Sequence, residues 1–274
     1  MAITTMDGLV AGLGGAQRLV VNKANVVAVA GRTMSLWTAT GQPGAGEATA
    51  GITSSGVVPT LSTVGALSFV NPVSGSNSYL AGVRGFSAAT GMIILYDVLW
   101  QWTSGTGGWS VTTTTSQSLS GGFPGLTRPD ASGTNTELWL ESLTVGGATN
   151  GSTLSVTYTN SAATPATAQT ASIGAMISAP PVGTIQPLTL TAGDNGVKAV
   201  SALSHSATWT SGTYRLMIVR RLAEIPCTAL TAFSYNAVDL GMPRIYDNAC
   251  LGMAFSANST ATGPLMMSLS LAQG

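Results

Sequence analysis

The stretch "GMIILYDVLWQW" at residues 91–102 is the most hydrophobic run of the chain, and it carries a single acid, Asp97. In an extended strand, successive side chains point to opposite faces, which places Tyr96 and Trp100 on one face and Asp97 on the other, among aliphatic residues. A buried carboxylate is costly unless it is paired or accepts backbone N–H groups. We therefore expect Asp97 to be a structural anchor rather than a catalytic acid. The candidate arginine partners are Arg32, Arg84 and Arg215.

Strand patterns recur on both sides of this stretch. Residues 152–159, "STLSVTYT", and residues 264–272, "PLMMSLSLA", alternate apolar and small polar side chains, which is typical of half-buried strands. Residues 213–222, "TYRLMIVRRL", are apolar on both faces and indicate a central strand. We predict an all-β protein with a single β-sandwich or jelly-roll-like domain at 16–274 and long Gly/Ser/Thr loops. An alternative is a split into two β domains near residue 180.

The first fifteen residues differ from the rest of the chain. Apolar residues recur there at helical spacing after Thr4 and Thr5, either of which can cap a helix. Several glycines make this helix marginal in isolation, so it needs a partner surface. We predict that residues 1–15 form a short helical arm that binds a partner protein. The proposed contact residues are Met6, Leu9, Val10 and Leu13.

The composition excludes several classes of partner. Charged residues make up 7% of the 274 residues, whereas an ordinary soluble domain has about 25%. The 10 Lys plus Arg balance 10 Asp plus Glu, and no basic run offers a nucleic-acid surface. No apolar run reaches the roughly 18 residues of a spanning helix, and no basic stretch precedes an apolar core near the N-terminus. We expect no nucleic-acid or membrane partner and no secretory signal.

Candidates for chemistry are few. Glu137 and Glu141 flank Trp139 on one strand face, but residues four apart on a strand lie about 13 Å from each other, too far for a glycosidase pair. We predict that this face is solvated. The one histidine, His205, could act as a general base, but the sequence has no GxSxG motif that would supply a serine nucleophile. We expect His205 at a strand end or exposed. We predict no catalytic residue, no metal site and no cofactor, and hence no enzyme.

Cys227 and Cys250 are the only cysteines. One pair does not define a disulfide framework, and two buried free thiols are the favoured interpretation. A disulfide between them is the alternative, and its loop of about 20 residues would add about 3 kcal/mol of stability.

Seven segments together resemble structural proteins of tailed bacteriophages and prophages. They are "ITTMDGLVAGL" (3–13), "GRTMSLWTATGQPGAG" (31–46), "LYDVLWQWTSG" (95–105), "TTTTSQS" (112–118), "VTYTN" (156–160), "AGDNGVKAV" (192–200) and "IYDNACLGMAF" (245–255). The chain is most similar to capsid-associated decoration, or cement, proteins. The resemblance implies a virion protein that is made in the host cytoplasm, forms a homo-oligomer with a trimer favoured, and binds the major capsid protein or other virion proteins.

Two other roles stay open at this point. A tail tube or fibre subunit would have a similar composition. A glycan-binding spike module would need tryptophans that stack on sugars, and Trp37, Trp102 and Trp109 lie in Gly/Ser-rich surroundings that would allow their exposure.

Overall fold

The computed structural model describes residues 3–145, 147, 152–169 and 180–274. Within these ranges the only helix is α1 (Met6–Gly14), and the predicted all-β class is confirmed. This helix is not long and apolar enough to cross a membrane. The strands are β1 (Gln17–Ala28), β2 (Thr33–Ser35), β3 (Gly41–Gln42), β4 (Ser78–Ser87), β5 (Gly91–Thr103), β6 (Gln117–Ser118), β7 (Glu137–Ser142), β8 (Leu154–Asn160), β9 (Pro165–Gln169), β10 (Thr184–Pro187), β11 (Val197–His205), β12 (Tyr214–Cys227), β13 (Ala232–Asn236), β14 (Arg244–Ile245), β15 (Leu251–Ala257) and β16 (Ala261–Gln273).

The chain forms two compact units, each assembled from separate segments. Unit 1 consists of Met1–Gly46, Thr60–Asp97 and Leu222–Gly274, and unit 2 consists of Glu47–Pro59 and Val98–Arg221. Strands β5 and β12 each contribute residues to both units. Residue 180, where the sequence offers an alternative domain boundary, falls inside the second segment of unit 2.

Unit 1 is built from two groups of antiparallel strands around one core. The larger sheet has the order β13-β4-β16-β1-β3, and β14 also pairs with β4. The second group pairs β15 with β2 and with the Gly91–Asp97 part of β5. The predicted alternation of β16 is confirmed, because Leu265, Met267, Leu269 and Leu271 are buried in a core shared with β5 and β15.

Unit 2 follows the same plan with different strands. One sheet has the order β6-β11-β8-β9, and a second group pairs β7 with both β10 and β12. Leu154, Val156 and Tyr158 of β8 are buried, as the alternation of "STLSVTYT" predicts. Strand β12 is buried on both faces from Tyr214 to Val219, which confirms its prediction as a central strand.

Candidate functional site

Helix α1 starts where the sequence places a cap. Thr5 is the N-cap, with extended backbone (φ −131°, ψ 159°), and its hydroxyl accepts the N–H of Gly8 at 3.0 Å. This bond satisfies one of the N–H groups that a helix start leaves without a partner inside the helix. Asp7 lies in the first turn, where a negative charge is favourable for the helix dipole. The cap fixes where the helix begins and therefore which residues share each side.

The inner side of α1 packs on unit 1. Leu9 is buried against Ala81 and Ala272, within a small cluster that also contains Ala237. Gly12 faces the same surface, where an added Cβ would lie 3.2 Å from the carbonyl oxygen of Gln273. The absence of a side chain at residue 12 lets the helix approach the end of β16 closely. Helix α1 is thus docked on its own chain.

The outer side of α1 carries three apolar side chains, which we call the outer stripe. Met6, Val10 and Leu13 are 67%, 62% and 42% exposed. Their spacing of four and three residues places them along one side of the helix. The four predicted arm residues therefore have two different environments. Leu9 packs against the protein's own residues, and the outer stripe faces solvent.

Asp97 lies in unit 1 and is almost completely buried. Its Oδ1 accepts the backbone N–H of Cys250 at 2.8 Å, and Asp97 pairs with Leu251 in the ladder between β5 and β15. The carboxylate therefore fixes the chain at the point where β15 begins. Of its candidate arginine partners, Arg215 binds a different acid, Glu141.

The prediction that Glu137 and Glu141 share a solvated face is wrong for Glu141. Glu141 is fully buried, and its Oε2 accepts the Arg215 Nε–H at 3.0 Å. Arg215 also donates to the Gln101 side-chain oxygen at 3.1 Å. Glu137 keeps part of its surface in solvent and forms an ion pair with Arg221. Alternation cannot show that both faces of a strand are covered, so it carries no signal for the buried pair of Glu141 and Arg215.

His205 ends β11, as expected, but it is buried rather than exposed. Its ring centroid lies 4.3 Å from that of Trp209 and 5.4 Å from that of Trp109. Burial lowers the pKa of His205 from 6.5 to about 4, and a backbone interaction with Ser110 opposes this shift in part. The imidazole is therefore neutral at physiological pH and part of an aromatic cluster.

The glycan-binding alternative requires tryptophans that are exposed in loops, and the structure does not place its three candidates at the surface. Trp37, Trp102 and Trp109 are all buried. The indole N–H of Trp102 donates to the Thr53 carbonyl at 2.8 Å, and that of Trp109 donates to the Trp102 carbonyl at 3.0 Å. A buried indole finds such a partner because the unpaired N–H would be costly. None of these three rings presents a face to a sugar.

Cys227 and Cys250 are buried free thiols. Burial raises the pKa of the Cys227 thiol, which is 3.6 Å from the carbonyl oxygen of Gly91. Across the described ranges, no three His, Cys, Asp or Glu side chains are grouped closely enough to hold a metal ion.

No protein-family model and no curated protein matches the chain. Among solved structures, the chain is weakly similar to the VP2 subviral particle of infectious bursal disease virus, with 6% identity and a TM-score of 0.16 over 94% of this chain and 81% of that chain. A structure of the Gt strain of infectious bursal disease virus gives 8% identity and a TM-score of 0.17 over the same shares. TM-scores this low do not show a shared fold.

Proposed function

We propose that the chain is a structural protein of a virus particle, a decoration protein that binds the outside of the head and stabilises it through protein contacts. The seven segments that resemble bacteriophage virion proteins support the assignment to a virus particle. The outer stripe of α1 is the observation that supports a contact with another protein of the head. Its three large apolar side chains are exposed on a helix that its own chain holds in place.

The docked geometry favours binding through the outer stripe. The helix is already ordered by its Thr5 cap and by Leu9, so less conformational entropy is lost on binding than for a free arm. Full burial of a Met, Val or Leu side chain contributes about 1.5–3 kcal/mol. Even partial burial of three such residues would change affinity by more than tenfold, since 1.4 kcal/mol corresponds to a factor of ten.

The test is co-sedimentation of purified protein with expanded, undecorated phage shells. The triple variant Met6→Ser, Val10→Ser, Leu13→Ser removes the outer stripe and leaves Leu9 and Gly12 in place. The matched control is Val64→Ser, Val73→Ser, Val238→Ser, which removes three exposed valines from other parts of unit 1. We expect the wild type and the control to bind at a fixed ratio, and the outer-stripe variant to bind at least about tenfold more weakly.

Three outcomes contradict the proposal. If both triple variants bind shells equally well, the outer stripe does not contribute to binding. If the protein assembles into long tubes and does not bind shells, it is a tail subunit. Saturable binding to bacterial surface glycan in place of shells makes it a spike module, despite the buried tryptophans.

A further inference from the structure

The larger sheet of unit 1 has a solvent face on the side away from its core. The ladders place outward side chains of β13, β4, β16 and β1 in three rows across the sheet, and we call these positions the open face. Read from β13 to β1, the rows are Ala232, Phe86, Met266 and Asn22, then Ser234, Arg84, Ser268 and Val20, and then Asn236, Gly82, Ser270 and Arg18.

Helix α1 lies on the same side of this sheet, next to the open face. Ala272 packs with Leu9 of α1, whereas the preceding residue, Leu271, belongs to the core. Ala272 therefore points to the same side as Ser270, two residues earlier on β16. The helix that carries the outer stripe thus covers one end of this side of the sheet, and the open face continues from it.

The open face is more apolar than a solvent-facing strand surface usually is. Such surfaces commonly carry polar side chains opposite the apolar core side. Here Phe86 and Met266 are direct cross-strand neighbours, and Val20 lies diagonally across from Met266. Met266 and Val20 are each 50% exposed. A contiguous apolar patch of this kind on the surface is typical of an interaction site.

The charges of the open face have one sign. Arg18 and Arg84 are its charged residues, and both are exposed. In the part of the chain that the structure describes, neither side chain forms a hydrogen bond or an ion pair. Asp239 borders the face at Asn236, but its Oδ2 accepts the Asn236 N–H at 3.0 Å. A partner that covers the open face must therefore supply the carboxylates.

The same charges argue against a second copy of this chain as the partner. Face-to-face packing of two open faces about a two-fold axis would bring arginines toward arginines with no acid between them. Like charges that meet across an interface are unfavourable. A segment of another protein with acidic and apolar side chains has no such conflict.

The size of the open face shows that it does not act alone. With strands about 4.8 Å apart and every second residue facing outward, its twelve positions cover about 400 Å². A specific protein interface buries about 800 Å² on each partner. The adjoining outer stripe of α1 supplies further contact area, so one partner can cover both surfaces.

We propose that the open face binds an acidic, otherwise apolar segment of the same head protein that the outer stripe contacts. Carboxylates of that segment lie opposite Arg84 and Arg18, and its apolar side chains pack on Phe86 and Met266. The inference rests on the proposed function and deepens it by stating the chemistry of the partner surface.

The first experiment is co-sedimentation with expanded, undecorated phage shells. Arg84→Glu reverses a charge of the open face, and Arg84→Lys keeps it. Arg32→Glu is the matched control, because Arg32 precedes β2 and lies outside the open face. We expect Arg84→Glu to bind at least about tenfold more weakly, and Arg84→Lys and the control to stay within about threefold of the wild type. Circular dichroism confirms that each variant is folded.

The apolar part of the open face has its own variant in the same assay. Met266→Ser removes its most central apolar side chain, and Val64→Ser is the control at another exposed residue of unit 1. We expect Met266→Ser to bind shells about threefold to tenfold more weakly, because it loses apolar contact area, and Val64→Ser to bind like the wild type.

The second experiment identifies the group opposite Arg84. The only lysines of the chain are Lys23, which is buried, and Lys198 of unit 2. Arg84→Lys therefore adds one exposed amine to a surface that has none. A carbodiimide joins an amine to a carboxylate as an amide only where the two groups touch. We expect a cross-link from position 84 to an acidic peptide of the shell, identified by mass spectrometry, and no such cross-link from Arg32→Lys.

The outcomes separate this inference from the proposed function. If the wild type binds shells and both Arg84→Glu and Met266→Ser bind equally well, the open face is not a contact surface, whatever the outer-stripe variant shows. A cross-link from position 84 to another copy of this chain, formed without shells, makes a second copy the occupant and overturns the inference. Wild-type protein that does not bind shells overturns both.

Discussion

The buried pair of Arg215 and Glu141 makes a quantitative prediction about unit 2. Their side chains are 1% and 0% exposed, and they are joined by two hydrogen bonds, one of them the 3.0 Å bond from Nε. Removing one member of a buried pair leaves the other charge without compensation and costs about 3–5 kcal/mol. Replacing both members by apolar side chains of similar size is often neutral or stabilising. Arg215→Met and Glu141→Leu should each destabilise unit 2 by about 3–5 kcal/mol, and the double variant by less than either.

The assay is urea unfolding followed by tryptophan fluorescence. Five of the six tryptophans lie in unit 2, so this signal reports mainly on that unit. The matched control is the Glu137 and Arg221 pair, whose side chains are 36% and 33% exposed. Glu137→Gln should cost less than about 1 kcal/mol, because solvent screens an exposed pair. The reasoning is refuted if both buried single variants stay within about 1 kcal/mol of the wild type, or if their costs add in the double variant.

Three further predictions concern buried groups. Because burial lowers the folded-state pKa of His205 from 6.5 to about 4, stability is fully present above pH 6.5 and should fall by about 3 kcal/mol as the pH drops to 4. His205→Phe should flatten this part of the curve of unfolding free energy against pH, and an unchanged slope would count against the cause given. Asp97→Ala leaves the Cys250 N–H without its side-chain acceptor and should lower the unfolding free energy by at least about 1–3 kcal/mol, which thermal or urea denaturation measures. Cys227 and Cys250 should react with a thiol reagent only after denaturation, and rapid labelling of the native protein would show that they are accessible.

Local patterns predicted local structure well. The alternation of β8 and β16 gave the correct buried face, because each of these strands has one side on a core and one side toward solvent. The helix was predicted from its capping threonines and apolar spacing, and Thr5 is the residue that caps it. In each case the determining interactions lie within a few residues along the chain.

Long-range features could not be read from these patterns. Glu141 looks solvent-facing in its strand, yet Arg215, 74 residues later, makes its burial tolerable. Asp97 meets the N–H of Cys250 across 153 residues, so only the pairing of β5 with β15 identifies its partner. The helical spacing predicts Met6, Leu9, Val10 and Leu13 as one set of contact residues. The burial of Leu9 against Ala81 and Ala272 depends on where the first residues meet the last strand, so the spacing could not separate Leu9 from the other three.

Cryo-electron microscopy of expanded phage shells incubated with the purified protein tests the central claim most directly. The account predicts density for this protein on the outer shell surface at a fixed ratio, with Met6, Val10 and Leu13 of α1 facing a capsid protein. Bare shells, or bound protein whose α1 points its outer stripe into solvent, would contradict it.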